Sequence, residues 1–334
     1  MAARRNLPRP TDAAVEGGSF VRSERVNPNA SQAAGAELVW LLGQPHLGDY
    51  LDFVRTKAVG GAGIPPQRLA DEWRAANDHY YALEQEEAGE AERLECRPLP
   101  AEMRPLARKV RAHPWFREAF GTLPSRIMMV ELDRLIMSQT HIERPFADAL
   151  CGGLGPDPDP EALFRFCLPL DRPTPPVRVQ RLSSDRYLFA CGSTDFRAHA
   201  ARLMAPGELE RLASFGPVSS ALVLPVGFGC NFMSAVRSGG RAVLQNGYHR
   251  AYALRALGIT HAPCIVTEVT RKDELRVAAG EAVSEDPEFY FAAKRPPLLR
   301  DYFDPKIVKV LPIVRMETVI EVELKVRTSN AADC

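Results

Sequence analysis

The chain has 334 residues, 46% of them hydrophobic and 25% charged, with 42 basic residues balanced by 42 acidic ones. That length suits one large or two ordinary domains with a substantial core, and a charge balance of zero argues against a dedicated nucleic-acid binder without excluding a local basic groove. Seven cysteines without a Cys-x-x-Cys pair indicate neither a disulfide framework nor a zinc ribbon, and no apolar run approaches the ~20 residues that span a bilayer.

In chain order, residues 1–35 are rich in Ala, Pro, Asn, Ser and charge without a periodic apolar face, and read as a flexible arm. Order is expected to begin at Ala36 to Leu42. A helix opens at Pro65-Pro66, with Leu69, Trp73, Ala76, Tyr80 and Leu83 at three- and four-residue steps and Asp71, Glu72, Arg74 and Asp78 on its other face. Gly60 to Gly63 ahead of it reads as a linker. The stretch Glu84 to Arg93 is acidic, a further helix is expected from Glu102 into Ala112, and Trp115 to Phe120 read as buried. Residues 36–124 thus form a helical region packed on the core, and Met129 to Ile136 begin the next part as a strand, followed by Gln139 and a helix from about Pro145 to Leu150.

Proline-rich stretches at Pro156 to Pro160 and Pro169 to Pro176 block regular helix and mark an insertion at about 155–217. Within it, Val177 to Val179 and Arg186 to Cys191 read as paired strands around a Ser-Ser-Asp turn. Ser193, Thr194, Asp195 and Arg197 follow, readable as a ligand-facing cluster or as the N-cap of a helix from Phe196 to Leu203. The stretch Val223 to Phe232 carries Gly227 and Gly229, where a bulge or a close ligand approach is allowed, and places Asn231 near the hairpin that follows.

The most informative stretch runs from Leu244 to Gly258. Gly240 to Gln245 supply a strand, Asn246-Gly247 a tight turn, and Tyr248, His249 and Arg250 the first turn of a helix that stops at Gly258 before a new strand from Ile259 to Val266. Backbone N–H groups at such a helix start carry about half a positive charge, a geometry suited to anions. His249 is placed to donate to a phosphate or to carry a proton, and His141 is expected to face the same cleft, whereas His46, His79, His113, His199 and His261 show no metal-ligand spacing and no metal site is assigned.

The box Asn246-Gly247-Tyr248-His249-Arg250, the helix after it and the strand closed by Ala262-Pro263-Cys264-Ile265-Val266 resemble the ParB/sulfiredoxin-like superfamily, whose boxes read DGHHR in several branches and FGGCHR in sulfiredoxins. Met129 to Ile136 match the opening strand of such domains and Val223 to Phe232 correspond to the strand entering the hairpin, so the resemblance covers about 125–270, followed by a C-terminal extension at 271–334. It implies a mixed α/β fold: a helical N-terminal region plus a small mixed sheet with an insertion and a C-terminal strand. It marks fold better than function, because the superfamily includes partition CTPases, free-serine kinases, a sulfinic-acid reductase and nucleases.

Two departures bear on chemistry. Tyr248 stands where sulfiredoxin chemistry needs a cysteine, and Asn246 stands where serine-kinase-like boxes carry an aspartate that serves as base. The leading expectation is a ParB-like protein that binds a phosphate-bearing small molecule or nucleotide, with magnesium carried in by the nucleotide and with ATP- or nucleotide-dependent phosphotransfer as the activity the resemblance implies. Its site residues would be His249 and Asp195 as catalytic groups, with Asn246, Gly247, Tyr248, Arg250, Asn231, Ser193 and Thr194 as ligand contacts. Nucleic-acid association of the partition or nuclease type is the second reading, and a non-catalytic binding scaffold the third.

Scattered thiols suggest a reducing, cytoplasmic setting without membrane association, and Arg4 and Arg5 lack the apolar core of a signal peptide behind them. At the C-terminus, Ile320, Val322, Leu324 and Val326 alternate with Glu321, Glu323 and Lys325, which predicts a half-buried strand at about 318–327 paired within the chain.

Overall fold

A computed structural model describes residues 36–329 apart from 44–45, 172, 194, 206–215 and 315–316. The flexible arm expected at 1–35 and the candidate ligand contact Thr194 lie outside the described residues. The N-terminal half begins with β1 (Ala36–Leu41), α1 (Leu47–Lys57), α2 (Pro66–Glu86), β2 (Cys96–Arg97), α3 (Arg104–Ala112) and α4 (Pro114–Phe120). It continues through β3 (Ser125–Glu131), β4 (Ile136–Met137), β5 (His141–Glu143), α5 (Arg144–Leu154) and α6 (Pro160–Cys167). Then come β6 (Arg178–Arg181), β7 (Arg186–Cys191), β8 (Phe196–Ala198), β9 (Arg202–Met204), β10 (Ala221–Val223) and β11 (Val226–Phe228). The final third holds β12 (Ser234–Ser238), β13 (Arg241–Asn246), α7 (Tyr248–Ala256), β14 (His261–Glu268), α8 (Lys272–Ala278), α9 (Glu281–Glu285), α10 (Pro287–Phe291), β15 (Val308–Ile313) and β16 (Thr318–Glu323).

Six strands form the central mixed sheet in the order β2-β3-β14-β12-β13-β4. Its kernel is the hairpin β12–β13, which turns at Gly239 with φ +60°, and the crossover through α7 that lays β14 parallel to β12. Apolar runs in these strands, Val236, Val243, Leu244, Cys264, Ile265 and Val266, are fully or almost fully buried, as a sheet covered on both faces requires. The opening strand is shorter than its sequence suggests. β3 stops at Glu131, Leu132 to Leu135 turn the chain, and β4 returns to the far edge of the same sheet beside β13.

A second sheet, β15-β1-β5, ties residues distant in sequence: Ala36 to Leu41 pair antiparallel with Val308 to Ile313, and Leu38 to Trp40 with His141 to Glu143. The stripe on α2 is as its period indicates, with Leu69, Ala76 and Tyr80 buried in the same core as Val130, Leu132 and Ile265. Beneath it lies a buried ionic cluster. Arg295 donates to both oxygens of Asp301 at 2.8 and 2.6 Å and to Glu87 at 2.8 Å, and its charged carbon sits 5.0 Å from the Tyr80 ring centroid. No described helix is long and apolar enough to cross a membrane.

Four local expectations are corrected. Phe196 to Leu203 is not a helix: β8 pairs with β11 and β9 with β10, because Phe196 buries its ring against Phe228 and the backbone finds strand partners. The strand that enters the hairpin is β12, not the Val223 to Phe232 stretch, which forms β11 and a connecting loop. Within α4, Phe116 is buried but Trp115 is 48% exposed, since only one side of so short a helix meets the core. Gly60 to Gly63, expected as a linker, is a tight turn ending in a 3-10 segment whose Gly61 packs on the Val54 carbonyl.

The C-terminal strand does pair within the chain: β16 runs antiparallel to β7, which also pairs with β6. It is shorter than the alternation indicates, ending at Glu323, with Leu324 and Val326 exposed. Deleting residues from Glu317 onward removes the half-buried Ile320 and Val322 and leaves β7 without a partner on one side, a loss of about 2 kcal/mol from apolar burial alone. A melting temperature lower by several degrees is expected for the truncated chain, and an unchanged one would make the strand a mere tail.

Candidate functional site

At the end of β13 the chain reverses through Gly247 into α7. Gly247 has φ +95°, a left-handed conformation that side chains rarely adopt, and a Cβ there would sit 3.1 Å from Met233 Cγ and 3.3 Å from Arg250 Nη2. At the other end, α7 stops at Gly258 (φ +81°), where the N–H of Ile259 donates to the Leu254 carbonyl and that of Gly258 to the Arg255 carbonyl, the two bonds of a Schellman closure.

Each of the three side chains that open α7 is engaged by the protein. The Tyr248 hydroxyl donates to the Leu244 carbonyl at 2.6 Å and lies 2.7 Å from Ser138 Oγ, and burial pushes its pKa up to about 12, so it stays protonated. His249 Nε2 accepts the backbone N–H of Glu143 at 3.0 Å, which puts the proton of the neutral ring on Nδ1, and the ring meets Phe146 edge-on at 5.2 Å. Arg250 is only 3% exposed. Its Nη1 donates to the carbonyls of Cys167 (2.8 Å), Asn231 (2.7 Å) and Phe166 (3.3 Å), and its Nη2 to Asn231 Oδ1 (2.8 Å). Phe166 and Cys167 are the last residues of α6, so the guanidinium caps the negative end of that helix dipole.

His249 and Arg250 therefore do not share one pocket: His249 points to the start of α5, and Arg250 points inward to the end of α6 and the loop before β12. Tyr252 lies on another side, stacked on Phe303 at 4.7 Å. His141 is close to His249, flat against Trp40 at 5.6 Å.

The remaining candidates meet at the loop Gly229 to Asn231. Asn231 binds Arg250, while Asn246 Nδ2 donates to the Cys230 carbonyl at 3.4 Å. From the insertion, Ser193 Oγ accepts the Asp195 N–H at 3.2 Å, and the Ser193 carbonyl accepts the Thr318 hydroxyl at 3.1 Å, joining this turn to β16. The Asp195 carboxylate pairs with Arg197, and both border the space a Cβ on Gly229 would fill. Burial, and then the Asp195 charge, raise the Cys230 thiol pKa. The insertion thus approaches the box through a shared loop, but among the described residues Asp195 makes its ion pair with Arg197 and no hydrogen bond to His249.

Desolvation first, then the nearby His141 and Arg250, lower the His249 pKa from 6.5 to about 4. As pH falls, the unfolded chain takes up this proton before the folded one, so the stabilisation is complete above about pH 6.5 and lost progressively down to about pH 4, by about 3 kcal/mol. Burial lowers the His141 pKa too, with the same sign. Chemical denaturation of wild type and His249→Gln between pH 4 and 7.5 should show this slope in the wild type and less of it in the variant. Parallel profiles would mean that His249 titrates as an exposed imidazole.

Sequence reasoning missed a polar cavity of about 190 Å³ under the central sheet, lined by Ser125, Ser234, Gln245 and Thr267 and walled by Phe120 and Ala278. The only local signal was a set of polar residues within otherwise apolar strands. Among the described residues no group of three or more His, Cys, Asp or Glu gathers as metal ligands. Compared with protein-family models, curated proteins and solved structures, the chain gives no match.

Proposed function

We propose that this chain is a ParB-like binding protein that holds a phosphate-bearing small molecule or nucleotide on the backbone amides opening α7, and that the side chains of its box brace that backbone rather than perform acid–base chemistry. The observation that carries this reading is the threefold anchoring of the turn, Tyr248 to the Leu244 carbonyl, His249 to the Glu143 amide and Arg250 to the Cys167 and Asn231 carbonyls. A backbone held this firmly offers preorganised N–H donors without an ordering cost, which is what anion recognition at a helix start needs. Catalysis is the weaker reading, because the His249 lone pair is occupied and Asn246 offers no carboxylate. Magnesium would enter with the nucleotide's own phosphates.

Thermal-shift measurements with ATP, CTP and inorganic phosphate, each with and without magnesium, test the proposal. A nucleotide at 100 times its dissociation constant should stabilise the chain by about 2.7 kcal/mol, and no shift with any of them would remove the reading. Binding to DNA with an affinity that falls steeply between 50 and 200 mM salt would instead favour the nucleic-acid reading.

A further inference from the structure

We propose that the cavity beneath the central sheet is a second binding site, separate from the box, for a small uncharged molecule of about one ring's size that carries a hydroxyl or amide group. In β12, Val236 pairs with Val243 and Thr267, and the register with β13 shifts between Ser234 and Ala235, which leaves Gln245 as the extra residue of a bulge. Ser234, Ala235 and Val236 of β12, Gln245 of β13 and Thr267 of β14 border the cavity, whereas Leu244 and Cys264 belong to the core that also holds Cys167 of α6 and Ala251 and Leu254 of α7. No described residue of α7, Arg250 included, borders the cavity, so it is separate from the box. Helix α8 and the end of α4 wall it with Ala278 and Phe120.

Its polar groups are arranged rather than incidental. Ser125 Oγ donates to the Leu123 carbonyl at 3.1 Å, so the Thr267 hydroxyl, 2.9 Å from Ser125 Oγ, donates to it and keeps its own lone pairs for an acceptor role. Gln245 Oε1 is taken by the Gly280 N–H at 2.7 Å, which orients its amide and leaves an Nε2 hydrogen beyond the long 3.3 Å contact to the Val243 carbonyl. Ser234 is 6% exposed and lines the cavity, yet among the described residues its hydroxyl has no hydrogen-bond partner. The Ser234 oxygen is not sealed off from solvent, so a molecule entering the cavity can reach it and bond to it.

Charge and size narrow the occupant. The one charged lining residue is Glu118, at the rim and already paired with Arg202 at 3.3 Å, so nothing inside neutralises a phosphate or carboxylate. At about 190 Å³ the cavity is somewhat larger than the ~150 Å³ that accommodates benzene, and is too small for a nucleotide. An apolar wall opposite three hydroxyls and an amide suits a ring with one polar edge.

Saturation-transfer NMR on the full chain tests this with benzamide and phenol as probes and benzoate as the charged control. Benzamide and phenol should bind saturably and benzoate at least tenfold more weakly. Ser234→Ala should weaken benzamide about three- to tenfold, the range of one hydrogen bond, and Ala278→Leu should abolish binding by filling the space from α8. Ser234→Ala removes a single oxygen and gives the reading even if Ala278→Leu does not fold. Absence of transfer to either neutral probe, benzoate binding as tightly as benzamide, or benzamide affinity unchanged in Ser234→Ala would each overturn the assignment, leaving a cavity that holds only water.

Discussion

Replacing Arg250 with methionine should destabilise the chain by about 3–5 kcal/mol, whether or not a ligand is present. The guanidinium is buried and donates to the carbonyls of Phe166, Cys167 and Asn231 and to the Asn231 side chain, so methionine fills part of the volume but strands those acceptors away from water. Lysine at this position keeps the charge but not the fork that reaches α6 and the loop before β12 together, and should fall between wild type and methionine. Urea denaturation checks this directly. A midpoint unchanged in Arg250→Met would mean that the guanidinium is available for a ligand after all.

A loss of similar size is expected for Asp301→Ala. Arg295 and Asp301 are 1% and 2% exposed, and the carboxylate also accepts the Leu298 N–H at 2.8 Å and the Tyr80 hydroxyl at 3.3 Å. Removing it leaves a buried cation with only Glu87 to oppose it, and about 3–5 kcal/mol is the usual cost of breaking such a pair from one side. Because Tyr80 and Glu87 belong to or follow α2 while Asp301 comes from the C-terminal third, the variant should loosen both regions together. Hydrogen exchange that speeds up in residues 298–303 alone would contradict that coupling.

What could be read beforehand was whatever one short stretch decides. The α2 stripe, the Gly258 stop, the hairpin strand before Asn246 and the paired strands around Ser183 to Asp185 each rest on local period or turn chemistry, and each is present with shifted ends. The box was legible as a strand, turn and helix but not in the direction its side chains take. Arg250 turns inward because its acceptors arrive from 83 and 19 positions away, and no local pattern announces them. The strand at Phe196 exists because Val226 to Phe228 lie beside it, a tertiary choice that overrode the capping pattern of Ser193 to Asp195. The second cavity was hidden for the same reason, since Ser125, Ser234, Gln245 and Thr267 come from four strands.

In the proposed function the box side chains brace a backbone that binds the ligand. Calorimetric titration of magnesium ATP into wild type and His249→Gln at pH 7.5 tests it most directly, because glutamine can still accept the Glu143 N–H but cannot carry a proton. Saturable binding at one site is predicted for both, with affinities within about threefold of each other, well under the loss of a charge-assisted hydrogen bond. Binding by wild type that disappears in His249→Gln would contradict the bracing role and return His249 to the ligand.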